Sequence, residues 1–321
     1  MKGPRRNRGR FLRILAGAQV GVSFFALAGC FETNLSLFAH FQLYLAGCWV
    51  ATWLLVRFVP KIGGAFWRPG LVQALAIIMI LSHSAVVLWS IRPPQVVDLD
   101  DPSKVSMMWF NVHHDPQALR AAEEYLEKNP PDIICLGEMS ADMDWRLPGY
   151  AFRHRAPKGD VLIASRWPLE KKRVVAVPAG REIISAEVVV ERRRFTLITA
   201  HSRVPTRNSH RPALRQVAAW AADPDNCVVM GDLNSTPWAA EFRDLERVGG
   251  LQHARRGQGY LSSWGMLPGK FMRLPIDHAL GKGELNLKNF RLMPWLYSDH
   301  RGFVVDLELG GKRGHGARKE Q

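Results

Sequence analysis

Cys227-Val228-Val229-Met230-Gly231-Asp232-Leu233-Asn234-Ser235-Thr236-Pro237-Trp238 is the stretch on which the fold turns. Four apolar residues make a run short enough for a buried strand. Pro237 reads as lying just inside a helix start, which predicts a helix over Trp238–Arg247 closed by Gly249-Gly250. A carboxylate and an amide two residues apart, where a strand ends, can point into one cleft. That pairing suits a water-activating acid beside a hydrogen-bond donor to phosphate, although Gly-Asp-x-Asn is also ordinary turn chemistry.

Working outward, the same junction recurs. Met107-Met108-Trp109-Phe110 ends at Asn111, Ile133-Ile134-Cys135-Leu136 runs into Gly137-Glu138, and Leu197-Ile198-Thr199-Ala200 ends at His201. Pro275-Ile276 leads into Asp277-His278, and Ser298-Asp299-His300 stands just before the apolar run Phe303-Val304-Val305. A single polar residue closing a core strand only marks where a sheet meets solvent. Repeated at matching ends, such residues point to one shared cleft. Further strands are predicted over 161–164, 174–177, 183–190, 195–200, 276–280, 290–293 and 303–309, and helices over 116–128 and 212–222. Glu191-Arg192-Arg193-Arg194 reads as a solvated hairpin turn. Strands outnumber helices and several adjoin through short turns, which favours two packed mixed sheets with helices outside over a doubly wound parallel sheet.

The donor inventory is acids, amides and imidazoles without cysteine. It suits a hard, oxygen-preferring cation such as Mg²⁺. Asp–His pairs suit oriented imidazoles for proton transfer or phosphate binding. There is no Gly-x-Ser-x-Gly elbow, Walker loop, dinucleotide fingerprint or His-Glu-x-x-His helix, so metal-assisted phosphoester hydrolysis fits best. Cys135 and Cys227 lie in strand-like runs without metal-ligand spacing and read as buried free thiols.

The first hundred residues differ in kind. Three apolar stretches, 11–31, 35–59 and 71–91, are each about 20 residues or more, enough to cross a bilayer. They predict a membrane domain over 1–92, with His40 and His83 bonded to neighbouring helices. Leu27-Ala28-Gly29-Cys30 resembles a lipoprotein cleavage box, but Leu45-Ala46-Gly47-Cys48 repeats it inside the second stretch, as small residues common in membrane helices would. Lys2, Arg5, Arg6, Arg8 and Arg10 precede the first stretch, the first loop has no cation, and Arg57, Lys61 and Arg68 surround the second loop. This bias places the N-terminus in the cytoplasm of a multi-pass inner-membrane protein and everything after the third stretch outside it, periplasmic or extracellular. A linker is expected over 93–103, one domain over 104–310, and a disordered basic tail over 311–321.

The formal charge of +14 is concentrated at the ends. Residues 1–97 carry +9, 98–310 only +2, and the tail +3. The globular part lacks the excess that neutralises a phosphate backbone, which weakens a nucleic-acid reading.

Taken together, Phe110-Asn111-Val112, Leu136-Gly137-Glu138, Ala200-His201-Ser202, Gly231-Asp232-Leu233-Asn234, Ile276-Asp277-His278 and Ser298-Asp299-His300 resemble the endonuclease/exonuclease/phosphatase (DNase I-like) superfamily, its bacterial membrane-anchored branch most of all. The resemblance covers Lys104 to Leu309. It implies an α/β fold, a four-layer α/β sandwich preceded by three transmembrane helices. It also implies roles. Glu138, Asn111 and Asp299 would bind Mg²⁺, with Mn²⁺ as the alternative. Asp232 would orient or deprotonate the attacking water, and Asn234 would donate to the phosphate. His300, held by Asp277, would stabilise the developing charge; His201 would contact phosphate or assist the leaving oxygen, and His278 would support the site. Gly137 departs from the family pattern, where many members have Gln. Arg203, Arg207, His210, Arg211 and Arg273 stand near these motifs and could capture a second phosphate, or be ordinary surface residues. His113-His114 reads as solvent-exposed rather than as a second metal site. The expected activity is a Mg²⁺-dependent phosphoric ester hydrolase acting outside the cytoplasm on a phospholipid or lipid-linked phosphate. The alternative is an extracytoplasmic nuclease acting on DNA or RNA.

Overall fold

The computed structural model describes residues 4–58, 69–176, 181–266 and 272–310. Lys2, Lys61, Arg68 and the tail from 311 lie outside the described residues, and so do the side chains of the N-terminal arginines. The chain divides into two compact units, one of Met1–Arg92 with Thr236–Arg243 and one of Pro93–Ser235 with Asp244–Gln321.

The first unit is helical: α1 (Pro4–Ala28), a 3-10 turn (Thr33–Leu35), α2 (Ser36–Ala39), α3 (Gln42–Phe58) and α4 (Pro69–Ser90). Only Gly70–Ser90, 21 residues, is by itself long and apolar enough to cross a membrane among the described residues. The stretch expected over 35–59 is broken, Thr33–Ala39 and Gln42–Phe58 meeting at 56°. At the break Phe41 N bonds Phe38 O, tightening the turn instead of continuing the helical ladder. The first stretch yields a shorter apolar helix, Ile14–Ala28, which stops where a Cβ on Gly29 would lie 2.3 Å from Leu35 O. Polar side chains join the helices: Gln42 Nε2 donates to Ala26 O (2.7 Å), Gln42 Oε1 meets His83 Nδ1 (2.5 Å), and Trp49 Nε1 donates to Ser23 Oγ (2.8 Å). His83 is thus bonded to a neighbouring helix, as its sequence setting suggests.

The second unit holds β1 (Ser103–Asn111), α5 (Pro116–Leu126), β2 (Ile133–Gly137), β3 (Phe152–Arg155), β4 (Val161–Ser165), β5 (Leu169–Ala176), β6 (Glu182–Val190), β7 (Arg193–His201), α6 (His210–Ala222) and β8 (Cys227–Asp232). After these come α7 (Ala240–Gly249), β9 (Gln252–His253), β10 (Trp264–Met266), β11 (Met272–Leu274), β12 (Asp277–Lys282), β13 (Leu285–Leu292) and β14 (Phe303–Leu309). α7 starts two residues later than the sequence suggests, because Thr236–Ala239 form a turn first. Two six-stranded mixed sheets result, ordered β13-β14-β1-β2-β4-β3 and β5-β6-β7-β8-β12-β9.

Each sheet has one parallel pair, β1–β2 and β7–β8, joined through α5 and α6 respectively. Alternation along the strands builds the layers. Val105, Met107 and Trp109 face Leu197, Val228 and Met230 in the core between the sheets, while Met108 and Phe110 turn outward onto Leu119, Ala122 and Leu126 of α5. α6 buries Ala213, Leu214, Val217 and Ala221. The architecture is an α/β sandwich of two mixed sheets with helices outside. Cys135 and Cys227 are buried free thiols, and Cys135 Sγ accepts from Thr199 Oγ1 across the sheets (3.2 Å).

Candidate active site

Strand register lines the polar residues up. In the second sheet His201 of β7 pairs with Asp232 of β8, which pairs with Asp277 of β12. In the first, Asn111 ends β1 opposite Gly137 at the end of β2, so Glu138 follows beside it. The parallel strands finish at this edge and the antiparallel ones begin there, with Asp160 ahead of β4, Asp277 opening β12 and His300 ahead of β14.

Asn111 sits at the centre, fully buried. Its Nδ2 lies 3.3 Å from Glu138 Oε1, 3.1 Å from Asp232 Oδ2 and 3.4 Å from His300 Nε2. Its Oδ1 accepts from His113 N (2.9 Å). Asp232, also fully buried, accepts from Asn234 N (2.9 Å) and Asn234 Nδ2 (3.2 Å). Burial and the nearby Asp277 carboxylate push its pKa up, against the pull of His300 and His201. His300 Nδ1 faces Asp277 Oδ2 at 2.8 Å, leaving Nε2 3.7 Å from Asp232 Oδ2. Burial alone would lower the His300 pKa, but the Asp277 and Asp232 carboxylates prevail and hold it at about 10, so it is an imidazolium at neutral pH. Burial likewise opposes ionisation of Asp277, and the His300 charge with bonds from Trp109 and Ser263 overcomes it, holding Asp277 below the usual carboxylate range.

His201 places Nε2 3.2 Å from Glu138 Oε1 and Nδ1 3.4 Å from Asp160 Oδ1, and Asp160 in turn pairs with Arg181. Glu138 is kept ionised: burial would raise its pKa, but His201, Asn111, His300 and His113 lower it. A metal ligand must be ionised in this way. Asp299 accepts from Trp264 Nε1 through Oδ2 (2.9 Å), while its Oδ1 is buried and accepts no hydrogen bond. A carboxylate oxygen so placed near Glu138 fits a divalent cation. The ligand atoms of Glu138, His201 and Asp232 also lie within 4.8 Å of one another. Four non-glycine residues here, His113, His114, Glu138 and Asn234, have φ between 47° and 54°. Such left-handed backbone costs roughly 1 kcal/mol or more at each position and concentrates at functional sites.

The family model agrees with this constellation, matching residues 108–300 to the endonuclease/exonuclease/phosphatase family. The chain belongs to that family. The sequence has no significant match among curated proteins. Among solved structures, a Danio rerio TDP2 complexed with a single-strand DNA product superposes with a TM-score of 0.56 at 18% identity, covering 64% of this chain and 99% of that one. A family protein from Bacteroides thetaiotaomicron gives 0.53 at 12% identity over 68% and 100%. An endonuclease/exonuclease/phosphatase from Beutenbergia cavernae gives 0.50 at 18% over 65% and 72%. At these identities the likeness establishes the shared fold.

Within this family member the expected acids, amides and imidazoles gather at one edge. Asn111 turns its amide nitrogen, not its oxygen, toward Glu138 and Asp232. His278 is fully buried on β12 with Nε2 2.8 Å from Ser235 O. The basic residues are more scattered: Arg203 is half-buried, Arg207 exposed, and Arg273 exposed on β11 with its guanidinium 6.0 Å from the Trp295 ring centre. His210 is buried at the start of α6, its Nδ1 2.6 Å from Arg203 O. Several site residues escaped the sequence reading. Trp109 donates Nε1 to Asp277 Oδ1 (2.8 Å), reaching from one sheet to the other. Ser298 Oγ donates to Asn111 O (2.8 Å) and accepts from His300 N (3.0 Å). Buried Arg255 donates to Asp277 O. Asp160 escaped too, because Lys158-Gly159-Asp160 reads as a plain turn ahead of its strand.

Proposed function

We propose that this chain is a membrane-anchored, divalent-metal-dependent phosphoric ester hydrolase. It acts outside the cytoplasm on a phosphoester or pyrophosphate, with phospholipid or lipid-linked phosphate as the substrate class. One observation carries the reading. Asp232, a carboxylate pushed toward its protonated form, stands 3.7 Å from His300, an imidazolium fixed by Asp277. Groups whose pKa values are driven apart in one cleft divide the work of base and acid.

Glu138 and Asp299 would hold the cation, which when bound supplies Lewis-acid polarisation of a phosphoryl oxygen; Asn111 would join them by turning its amide so that Oδ1, here accepting from His113 N, faces the ion. Asp232 takes the proton of the attacking water as the new P–O bond forms; a raised pKa suits that task. Asn234 Nδ2 bonds Ser202 O at 2.9 Å and Asp232 Oδ2 at 3.2 Å, and exchanges the longer bond for a non-bridging oxygen when substrate enters. His300 Nε2 donates where negative charge develops. His201 Nε2 serves the leaving oxygen as its bond to phosphorus breaks. Arg203, Arg207 and Arg273 capture a further anionic group of the substrate.

Anchoring is supported by the 21-residue apolar helix Gly70–Ser90 and by the cation bias around it. The lipid-linked class is supported by the modest charge of residues 98–310, +2, which gives duplex DNA little to bind. The test offers the purified full chain duplex DNA, bis-nitrophenyl phosphate and polyprenyl pyrophosphate, with Mg²⁺ or EDTA. Metal-dependent turnover of the pyrophosphate, abolished by Glu138→Ala, is expected. Preferential DNA cleavage would install the nuclease reading instead. No turnover of any substrate, with Glu138→Ala indistinguishable from wild type, would overturn the enzyme reading.

A further inference from the structure

His113 and His114 follow Asn111 and Val112 directly, and the sequence suggests only two exposed loop residues. Both are exposed in part, yet both are tightly directed. Their φ angles are 51° and 54°, successive left-handed residues without glycine. His113 N bonds Asn111 Oδ1 (2.9 Å) and His114 N bonds Glu138 O (2.9 Å), so the strained turn is locked to site residues. Strain retained at two successive positions needs a compensating role.

The turn brings the His113 ring to the outer face of the acid cluster. Glu138 divides its oxygens: Oε1 faces inward to Asn111 and His201, while Oε2 faces outward. His113 Nδ1 lies 3.3 Å from that Oε2 and 3.3 Å from Asp299 Oδ1. The second contact is not a hydrogen bond, because Asp299 Oδ1 accepts none, and Asp299 is fixed through its other oxygen by Trp264. Neighbouring ligand atoms around a six-coordinate divalent ion, each at about 2.1 Å, stand roughly 3 Å apart. Both nitrogen–oxygen separations suit adjacent ligands. The His113 side chain is 57% exposed, so the ring stands on the solvent side of the acid cluster.

We propose that His113 supplies an imidazole nitrogen to the cation held by Glu138 and Asp299, and that the site therefore selects a transition-series ion such as Mn²⁺ or Zn²⁺ over Mg²⁺. Imidazole raises affinity for transition ions and does little for Mg²⁺, which prefers oxygen. The proposal rests on the reading of this cleft as a metal-dependent hydrolase. His114, with Nε2 3.8 Å from Glu138 Oε2 and Nδ1 3.4 Å from Ser140 Oγ, stands one step further out and is not assigned a bond to the ion.

The experiment uses the full chain in detergent, with Mn²⁺, Zn²⁺ and Mg²⁺ affinities measured calorimetrically and pulsed EPR of the Mn²⁺ form read for ¹⁴N coupling. His113→Asn is the informative variant, because Asn tolerates left-handed backbone and preserves the turn. Wild type is expected to bind Mn²⁺ about tenfold or more tighter than Mg²⁺. His113→Asn should lose about tenfold or more in Mn²⁺ and Zn²⁺ affinity, with Mg²⁺ affinity nearly unchanged and the ¹⁴N coupling weakened or gone. His114→Asn should keep both. Equal Mn²⁺ affinity in wild type and His113→Asn, or coupling that disappears with His114 instead, overturns the assignment while leaving the hydrolase reading intact. A wild-type protein that binds no divalent ion overturns both.

Discussion

At the residue scale the site depends on side chains that never meet a phosphate. Trp109 is fully buried between the sheets, and its Nε1 donates to Asp277 Oδ1 at 2.8 Å. It fits only because residue 137 is glycine: a Cβ there would lie 2.5 Å from the indole. The departure from the family pattern at Gly137 is therefore matched by a large aromatic on the neighbouring strand. Trp109→Phe keeps the ring and removes the donor. Losing a bond to a charged acceptor costs about 1.5–3 kcal/mol. Asp277 then holds its charge less firmly, its pKa rises, and the support it gives His300 weakens. The His300 pKa falls from about 10, so the alkaline limb of kcat/KM moves to lower pH in the variant. A pH–rate profile from 7 to 11 reads this, and superimposable limbs would contradict the coupling.

At the element scale the site is a consequence of strand direction. β1, β2, β7 and β8 deliver Asn111, Glu138, His201 and Asp232 at or just past their C-terminal ends, and these were legible because each closes an apolar run. Asp277 and His300 were legible as Asp–His motifs, although their strands run the other way. Asp160 was not, since Lys158-Gly159-Asp160 reads as a plain turn and only the antiparallel pairing of β4 with β2 brings it to the edge. β3, β9, β10 and β11 were missed because they are two to four residues long, and Phe152-Arg153-His154-Arg155 is too polar to stand out. Close packing of β7 on β8 makes a further demand. A Cβ on Gly231 would lie 2.0 Å from Ala200 O, a backbone atom that cannot swing aside. Gly231→Ala must separate β7 from β8 just before His201 and Asp232. The expected loss is about 3 kcal/mol or more, seen as a lower thermal midpoint together with loss of activity. An unchanged midpoint would show that the pair has slack the register does not suggest.

At the scale of the whole molecule, two kinds of sequence are joined end to end. Residues 1–97 carry +9 with a single acid, Glu32, while residues 98–310 carry +2. A soluble enzyme gains nothing from that segregation, but insertion does, because Lys and Arg beside apolar helices are retained in the cytoplasm. The break between Thr33–Ala39 and Gln42–Phe58 complicates the count, since a pair bent by 56° could cross as one span or re-enter. The count decides the side on which Asp232 and His300 work. Three crossings from a cytoplasmic N-terminus place them outside, and two would return them to the cytoplasm. The loop Glu32-Thr33-Asn34 carries no cation and residues 57–68 carry Arg57, Lys61 and Arg68, a bias that matches the odd number we propose. An alkaline phosphatase domain, which folds only where disulfides form, fused after Gly310 should be active. The same domain fused at Arg68 should be inactive. The reverse pattern, or an inactive fusion at Gly310, would move the active site into the cytoplasm and remove the argument for an external lipid-linked substrate. It would leave the hydrolytic chemistry of the cleft untouched.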